Sequence, residues 1–241
     1  MAGSTPMAEP STTSNPLLHP PRLPLVAPSI LAADYARLGE ECRDALEAGG
    51  DFLHYDVMDG HLVPNLALGV DMLASLKAAL PEAFFDVHLM VERPADFVEP
   101  FASAGAGHLT FHVEACDGDE ARTLIDRIRS LGCSAGVAVD GPTPIERAAD
   151  LLPHVDVLVV MSIRAGFAGQ AFDPAALGKI RWARARAGRD LRIEVDGGVG
   201  PAQSAGLLGA GADVLAAASA VFRTSPSERR GVISAMRRGE A

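Results

Sequence analysis

The chain lacks what several large functional classes require. Its 241 residues hold 21 Lys and Arg against 31 Asp and Glu, a formal net charge of −10 and a pI of about 5.1. Nucleic-acid binding demands a clustered basic surface, so no nucleic-acid partner is expected. Lysine is nearly missing, with Lys77 and Lys179 the only two. No apolar run approaches the ~20 residues that span a bilayer, and the expectation is a soluble, cytoplasmic protein without a membrane partner. Cys42, Cys116 and Cys133 show neither C-x-x-C spacing nor a framework of pairs, which leaves small reduced thiols. No G-x-G-x-x-G follows the first strand-like run, so the open dinucleotide-binding sheet loses its best signature. Met1–Pro24 is rich in Pro, Ser and Thr, has no apolar h-region and carries one arginine, Arg22. It reads as a disordered tail at residues 1–24.

What is present is a regular alternation. The strand candidates are Leu23–Leu31, Phe52–Val57, Phe84–Val91, His108–Val113, Ala135–Val139, Val155–Met161, Leu191–Val195 and Val214–Ala218. Amphipathic segments such as Ala36–Ala48 and Ala175–Arg186 lie between them, with Leu, Ile or Ala on one face and Arg or Glu on the other. Eight βα units of roughly 25 to 30 residues point to one α/β domain over residues 25–241, a TIM (β/α)8 barrel.

In such a barrel the site lies at the C-terminal ends of the strands. His54, Asp56 and Met58 are spaced by two, so a strand points all three to one face; His88 and Met90 repeat the spacing, and Asp196 ends the seventh run before Gly197 and Gly198. Either histidine alone reads as a hydrogen-bonded residue of the barrel interior. Two imidazoles and two carboxylates packed together without an ion would be costly. The set suits one divalent metal ion, Zn2+, Fe2+, Mn2+ or Co2+. For Met58, Met90 and Met161, core packing and an apolar cap over the site are both open.

A phosphate grip is the next signal. Gly166, Phe167, Ala168 and Gly169 follow the sixth strand, Gly197 and Gly198 the seventh, and Ala218 and Ser219 the eighth. Backbone N–H groups in such turns converge on phosphate oxygens. Ser29 either bonds a substrate hydroxyl or caps a turn, and His112 and Glu114 read as structural partners. His61 and Asn65 lie on a loop placed to cover the site, whereas His19, His108 and His154 join no set.

Taken together the motifs resemble the ribulose-phosphate 3-epimerase family: APSIL at Ala27–Leu31, HYDVMDGHLVPN at His54–Asn65, DVHLMV at Asp86–Val91, FHVEA at Phe111–Ala115, GFAGQ at Gly166–Gln170 and EVDGGV at Glu194–Val199. The resemblance implies an isomerase that inverts C3 of ribulose 5-phosphate to give xylulose 5-phosphate in the pentose phosphate pathway. It implies metal ligands at His54, Asp56, His88 and Asp196, Zn2+ or Fe2+ as the usual ion, and Asp56 and Asp196 as the acid/base pair. It implies substrate contacts from Ser29 and His88, phosphate on Gly166–Gly169, Gly197–Gly198 and Ala218–Ser219, and a homo-oligomer. This chain departs from the family pattern with Arg164, Ala165 and Ala168 after the sixth strand and Ala218 after the eighth. A 3-epimerase of a six-carbon ketose phosphate and a non-catalytic sugar-phosphate binder are therefore the alternatives.

Overall fold

Buried apolar runs and amphipathic stretches become strands and helices in strict succession. In the computed structural model, which describes residues 14–188 and 190–240, the strands are β1 (Leu25–Pro28), β2 (Leu53–Asp59), β3 (Leu66–Ala67), β4 (Phe85–Met90), β5 (His108–His112), β6 (Ser134–Val139), β7 (Val157–Met161), β8 (Arg192–Asp196) and β9 (Val214–Ala217). The helices are α1 (Leu38–Glu47), α2 (Val70–Ala79), α3 (Val98–Ala104), α4 (Gly118–Ser130), α5 (Ala176–Arg184), α6 (Pro201–Ala210), α7 (Ser219–Phe222) and α8 (Pro226–Arg238). Between β6 and β7 the chain takes a 3-10 course over Ile145–His154, where Pro153 withholds the N–H that an α-helix would use.

Eight strands pair in parallel in the order β1-β9-β8-β7-β6-β5-β4-β2, and a parallel bridge between Ser29 and His54 joins the two ends. The two-residue β3 is an antiparallel addition to β2. The sheet curls into a TIM barrel with the helices outside. Strand periodicity sorts the side chains: along β2, Leu53, Tyr55 and Val57 pack in the layer under the helices, while Met58 joins the barrel interior. His54 and Asp56, on the same face as Met58, are buried with it.

The packed chain begins before Leu25. Of the expected tail, residues 1–13 lie outside the described residues, but 14–24 form turns against the N-terminal ends of the strands. Leu17 is fully buried beside Leu25, Phe52 and Val157. Arg192 Nε donates to the Leu17 carbonyl at 3.0 Å, and Asn15 Nδ2 donates to Ser134 Oγ at 2.8 Å. The reason is an apolar barrel floor that Leu17 covers, with polar anchors on either side. His108, which joins no set in the sequence, belongs to this floor: its Nδ1 lies 2.7 Å from Ser134 Oγ and its Nε2 2.9 Å from Thr110 Oγ1.

The first and last helices are fastened by a buried ion pair. Arg229 on α8 donates to Glu41 on α1 at 2.6 Å, both side chains being buried. Cys42, Cys116 and Cys133 are free, and burial pushes their thiols up to about 12, 11 and 11, which favours the protonated form. Lys77 lies on α2 and Lys179 on α5. Lys179 Nζ donates to the carbonyls of Asp140, Gly141 and Thr143 at 3.0, 2.6 and 2.7 Å, pinning the loop after β6. No helix among the described residues is long and apolar enough to cross a membrane.

Candidate active site

Three strands deliver four ligand-type groups to one point. His54 and Asp56 come from β2, His88 from β4 and Asp196 from the end of β8, and one ligand atom of each lies within 4.8 Å of all the others. His54 Nε2 and His88 Nδ1 are 3.3 and 3.4 Å from Asp56 Oδ1, and 4.0 and 3.8 Å from Asp196 Oδ2. A four-coordinate ion with bonds of ~2.1 Å holds its ligands ~3.4 Å apart, so these spacings suit one.

The hydrogen bonds around the cluster determine which atoms face it. His112 Nδ1 lies 3.1 Å from Glu114 Oε2 and so carries a proton toward that carboxylate. Its Nε2 is then an acceptor, and His88 Nε2, at 2.9 Å, must be the donor. That leaves His88 Nδ1 with a free lone pair toward the cluster. In the same way His54 Nδ1 faces Asp86 Oδ2 at 2.6 Å and Glu194 Oε1 at 3.1 Å, which leaves Nε2 facing inward. His54 Nε2, His88 Nδ1 and Asp56 Oδ1 are buried polar atoms without a hydrogen-bond partner. Unpaired buried groups of this kind are costly, and a cation bonded to all of them removes the cost. The residues present therefore fit a divalent metal ion.

Electrostatics sets the two carboxylates apart. Burial, reinforced by the charge of Asp56, pushes Asp196 up to about 7. Asp56 is just as buried, but His54 and His88 outweigh that and hold it well below the usual carboxylate range. Burial pushes His88 down to about 4, leaving it neutral as a ligand must be. For His54 burial is overcome by Asp56, Asp86 and Glu194, which raise it well above its ordinary value. An incoming ion must therefore displace the proton held by His54. Apparent metal affinity should fall by about tenfold or more per pH unit between pH 7 and 5, with proton release on binding. Calorimetric titration at several pH values checks this, and an affinity constant from pH 8 to 5 would contradict it.

Ser29 Oγ donates to Asp56 Oδ2 at 2.6 Å, so it holds the carboxylate rather than capping a turn. Met58, Met90 and Met161 are buried and line the cleft together with Ser29, Asp56 and Asp196. They serve in the barrel interior and in the cleft wall at once. The same cleft is lined by Gly166, Phe167, Ala168, Gly169, Gly197, Gly198, Ala218 and Ser219, which brings every expected phosphate contact to one wall. His88 is not among the lining residues; it sits behind the carboxylates.

The glycine-lined wall has its shape from backbone that only glycine adopts freely. At Gly198 φ is +60°, and a Cβ there would meet the Phe172 nitrogen at 2.6 Å. The added methyl groups of this chain stand elsewhere. Among the described residues Leu68 is the one non-glycine residue at positive φ, so neither Ala168 nor Ala218, the latter at φ −88°, occupies the left-handed backbone that favours glycine. Asn65 Nδ2 donates to the Gly166 carbonyl at 2.8 Å, tying its loop to this wall, whereas His61 is exposed, with Nδ1 3.0 Å from the Asp59 carbonyl. Asp140 Oδ1 accepts from Ala165 N at 2.8 Å, and Lys179 in turn holds the Asp140 backbone.

Sequence reasoning left Asp86 and Glu194 without a role. Both are fully buried against His54 Nδ1. The available signal was spacing, because each lies two residues before a ligand-type residue on its own strand and hence on the same face.

Residues 25–222 match the ribulose-phosphate 3 epimerase family. The chain is 46% identical over 202 residues to the ribulose-phosphate 3-epimerase of Escherichia coli strain K12, covering 82% of this chain and 88% of that protein. To the ribulose-phosphate 3-epimerase of Mycobacterium leprae it is 43% identical over 218 residues, covering 89% and 94%. Among solved structures, 3-keto-L-gulonate-6-phosphate decarboxylase from Vibrio cholerae superposes with a TM-score of 0.69 at 15% identity, covering 90% of this chain and 97% of that one. Tryptophan synthase from Mycobacterium tuberculosis does so with a TM-score of 0.67 at 17% identity, covering 96% and 98%. Likenesses this distant show the shared barrel alone.

Proposed function

This chain belongs to the ribulose-phosphate 3-epimerase family, an isomerase family, and from that premise we propose that it interconverts D-ribulose 5-phosphate and D-xylulose 5-phosphate by two-base proton transfer at C3. The observation that carries this reading is the convergence of Asp56 and Asp196 with the unpartnered nitrogens of His54 and His88 at the mouth of the barrel.

The proposed roles follow from position. The C3 proton is acidified by the neighbouring ketone, and its removal gives an enediolate. One aspartate removes the proton from one face while the other delivers a proton to the opposite face. The low Asp56 and the raised Asp196 suit that division, since one begins as base and the other as acid, and the reverse reaction exchanges the roles. A divalent ion, Zn2+ or Fe2+ with Mn2+ and Co2+ compatible, held by His54, Asp56, His88 and Asp196, supplies electrophilic stabilisation of the charge on the C2 and C3 oxygens when bound. Ser29 keeps the Asp56 carboxylate turned toward the reacting carbon. Met58, Met90 and Met161 exclude water without offering a competing proton. The backbone of Gly166–Gly169, Gly197–Gly198 and Ala218–Ser219 holds the phosphate. We assign these roles to one barrel domain, with the packed segment 14–24 as part of it, working in the cytoplasm as part of the pentose phosphate pathway.

A second reading, a 3-epimerase of a six-carbon ketose phosphate, draws on Arg164, Ala165, Ala168 and Ala218. Ala168 and Ala218 stay out of left-handed backbone, so the added methyl groups bring no left-handed strain to the wall, which suits the pentose reading. A coupled assay for xylulose 5-phosphate, run on metal-saturated and chelator-treated protein, decides. Metal-dependent turnover of ribulose 5-phosphate is expected. A folded, metal-saturated protein that ignores it but turns over a hexulose phosphate would replace the first reading with the second.

A further inference from the structure

The catalytic cleft is a poor place for an anion. Asp56 and Asp196 line it, Glu194 is buried behind His54, and the whole chain carries a net charge of −10. A phosphorylated ligand approaching that field needs a cation near its phosphate, and no cationic side chain lines the cleft itself.

Arginines on this surface usually have partners: Arg37 pairs with Glu40, Arg93 with Asp96, Arg127 with Glu99 and Arg129 with Asp156. Two near the phosphate wall do not. Among the described residues the guanidinium groups of Arg164 and Arg223 make neither an ion pair nor a hydrogen bond. Of these two, Arg223 is placed against the wall. A Cβ built on Gly169 would lie 3.4 Å from Arg223 Nη1 and 3.5 Å from Nη2, so the guanidinium rests one methyl layer from that backbone. Gly169 lines the catalytic cleft, and neighbouring Ala168 lines both that cleft and a shallower one beside it that Arg223 borders. Arg223 also directly follows α7, whose first residue, Ser219, lines the cleft.

We propose that Arg223 is a substrate-binding, specificity-determining residue: its guanidinium takes the outer oxygens of the ligand's phosphate across Gly169. The cup then combines backbone N–H groups on its inner side with one forked cation on its outer side, the geometry that guanidinium and phosphate share. Arg223 stays unpaired so that this position remains open to a dianion. The identity of the sugar rests on the epimerase reading above; the recognition of phosphate does not.

Inorganic phosphate is the direct probe. Its dissociation constant on the metal-saturated protein, measured by calorimetry, is compared with KM and kcat for ribulose 5-phosphate in four proteins: wild type, Arg223→Met, Arg223→Lys and Arg164→Ala. Arg223→Met keeps the apolar stem over Gly169 and removes the charge. It should weaken phosphate by about tenfold or more and raise KM comparably, with the loss falling on KM rather than kcat. Arg223→Lys should recover part of the loss. Arg164→Ala removes the same net charge away from Gly169 and should change either constant by less than about threefold. Unchanged phosphate affinity in Arg223→Met overturns the proposal, as does an equal loss in Arg164→Ala, which would show net charge rather than placement at work. Should the wild type fail to turn over ribulose 5-phosphate while Arg223→Met still weakens phosphate, the proposal stands and the assigned substrate falls.

Discussion

Asp56→Asn and Asp196→Asn should each lower the rate of ribulose 5-phosphate epimerisation by about a thousandfold or more at saturating metal. The amide keeps the size of the carboxylate and an oxygen that can still face the cluster, but it cannot take a proton from carbon or return one. The two side chains come from different strands, β2 and β8, and their oxygens meet around the same pair of imidazole nitrogens. Neither has a neighbour that could replace it. The other buried carboxylates beside the cluster, Asp86 and Glu194, are turned to His54 Nδ1 on the far side of the ring. On the proposed two-base mechanism the aspartates work as a unit on one carbon, so the double variant should be little worse than either single one. Metal content must be measured alongside, since both residues are also candidate ligands. Turnover within about tenfold of wild type in either fully metallated variant would remove that aspartate from the proton-transfer pair.

The largest expected effect on stability lies far from the cleft. Glu41→Ala should destabilise the fold by about 3–5 kcal/mol, because it leaves the buried Arg229 guanidinium with only the half-exposed Asp44 carboxylate, 3.9 Å away, as a charged partner. For a chain of this size each kcal/mol moves Tm by roughly 2–4 °C, so the midpoint should fall by roughly 6–20 °C. Arg229 cannot turn outward to water without leaving the helix seam, where it packs over the Phe222 ring at 5.2 Å. The contrast with the double variant Glu41→Leu/Arg229→Met is the sharper test. Replacing both partners by apolar groups removes the stranded charge and should restore most of the loss. A single variant that melts with the wild type would mean that water reaches Arg229 and that the pair contributes as little as a surface one.

The barrel was legible in the sequence because each strand is a short apolar run and each helix an amphipathic one. The ligand cluster was legible for a related reason. Period-two spacing places His54 with Asp56 and His88 with Met90 on the inward face, and glycine marks the turn after Asp196. Three features were not. Leu17 lies in a stretch whose composition reads as a tail, and only the apolar floor it covers makes that segment pack. The tautomers of His54 and His88 depend on Asp86 and Glu114, contacts made between strands that are distant in sequence. The placement of Arg223 against Gly169 joins residues from two different loops, so no local pattern announces it. Local pattern thus shows which residues face the axis; tertiary contact decides what each of them holds.

The central claim is that two carboxylates serve opposite faces of one carbon. It is tested most directly by following deuterium at C3 by NMR while the metal-saturated protein converts unlabelled ribulose 5-phosphate in D2O. Early in the reaction, xylulose 5-phosphate should carry deuterium at C3 while the remaining ribulose 5-phosphate carries almost none, because the proton removed by one aspartate is returned only to the face it left. Product that keeps the original hydrogen would mean that a single base carries the proton across, and a substrate pool labelled as fast as product would mean that the two faces share one exchangeable proton.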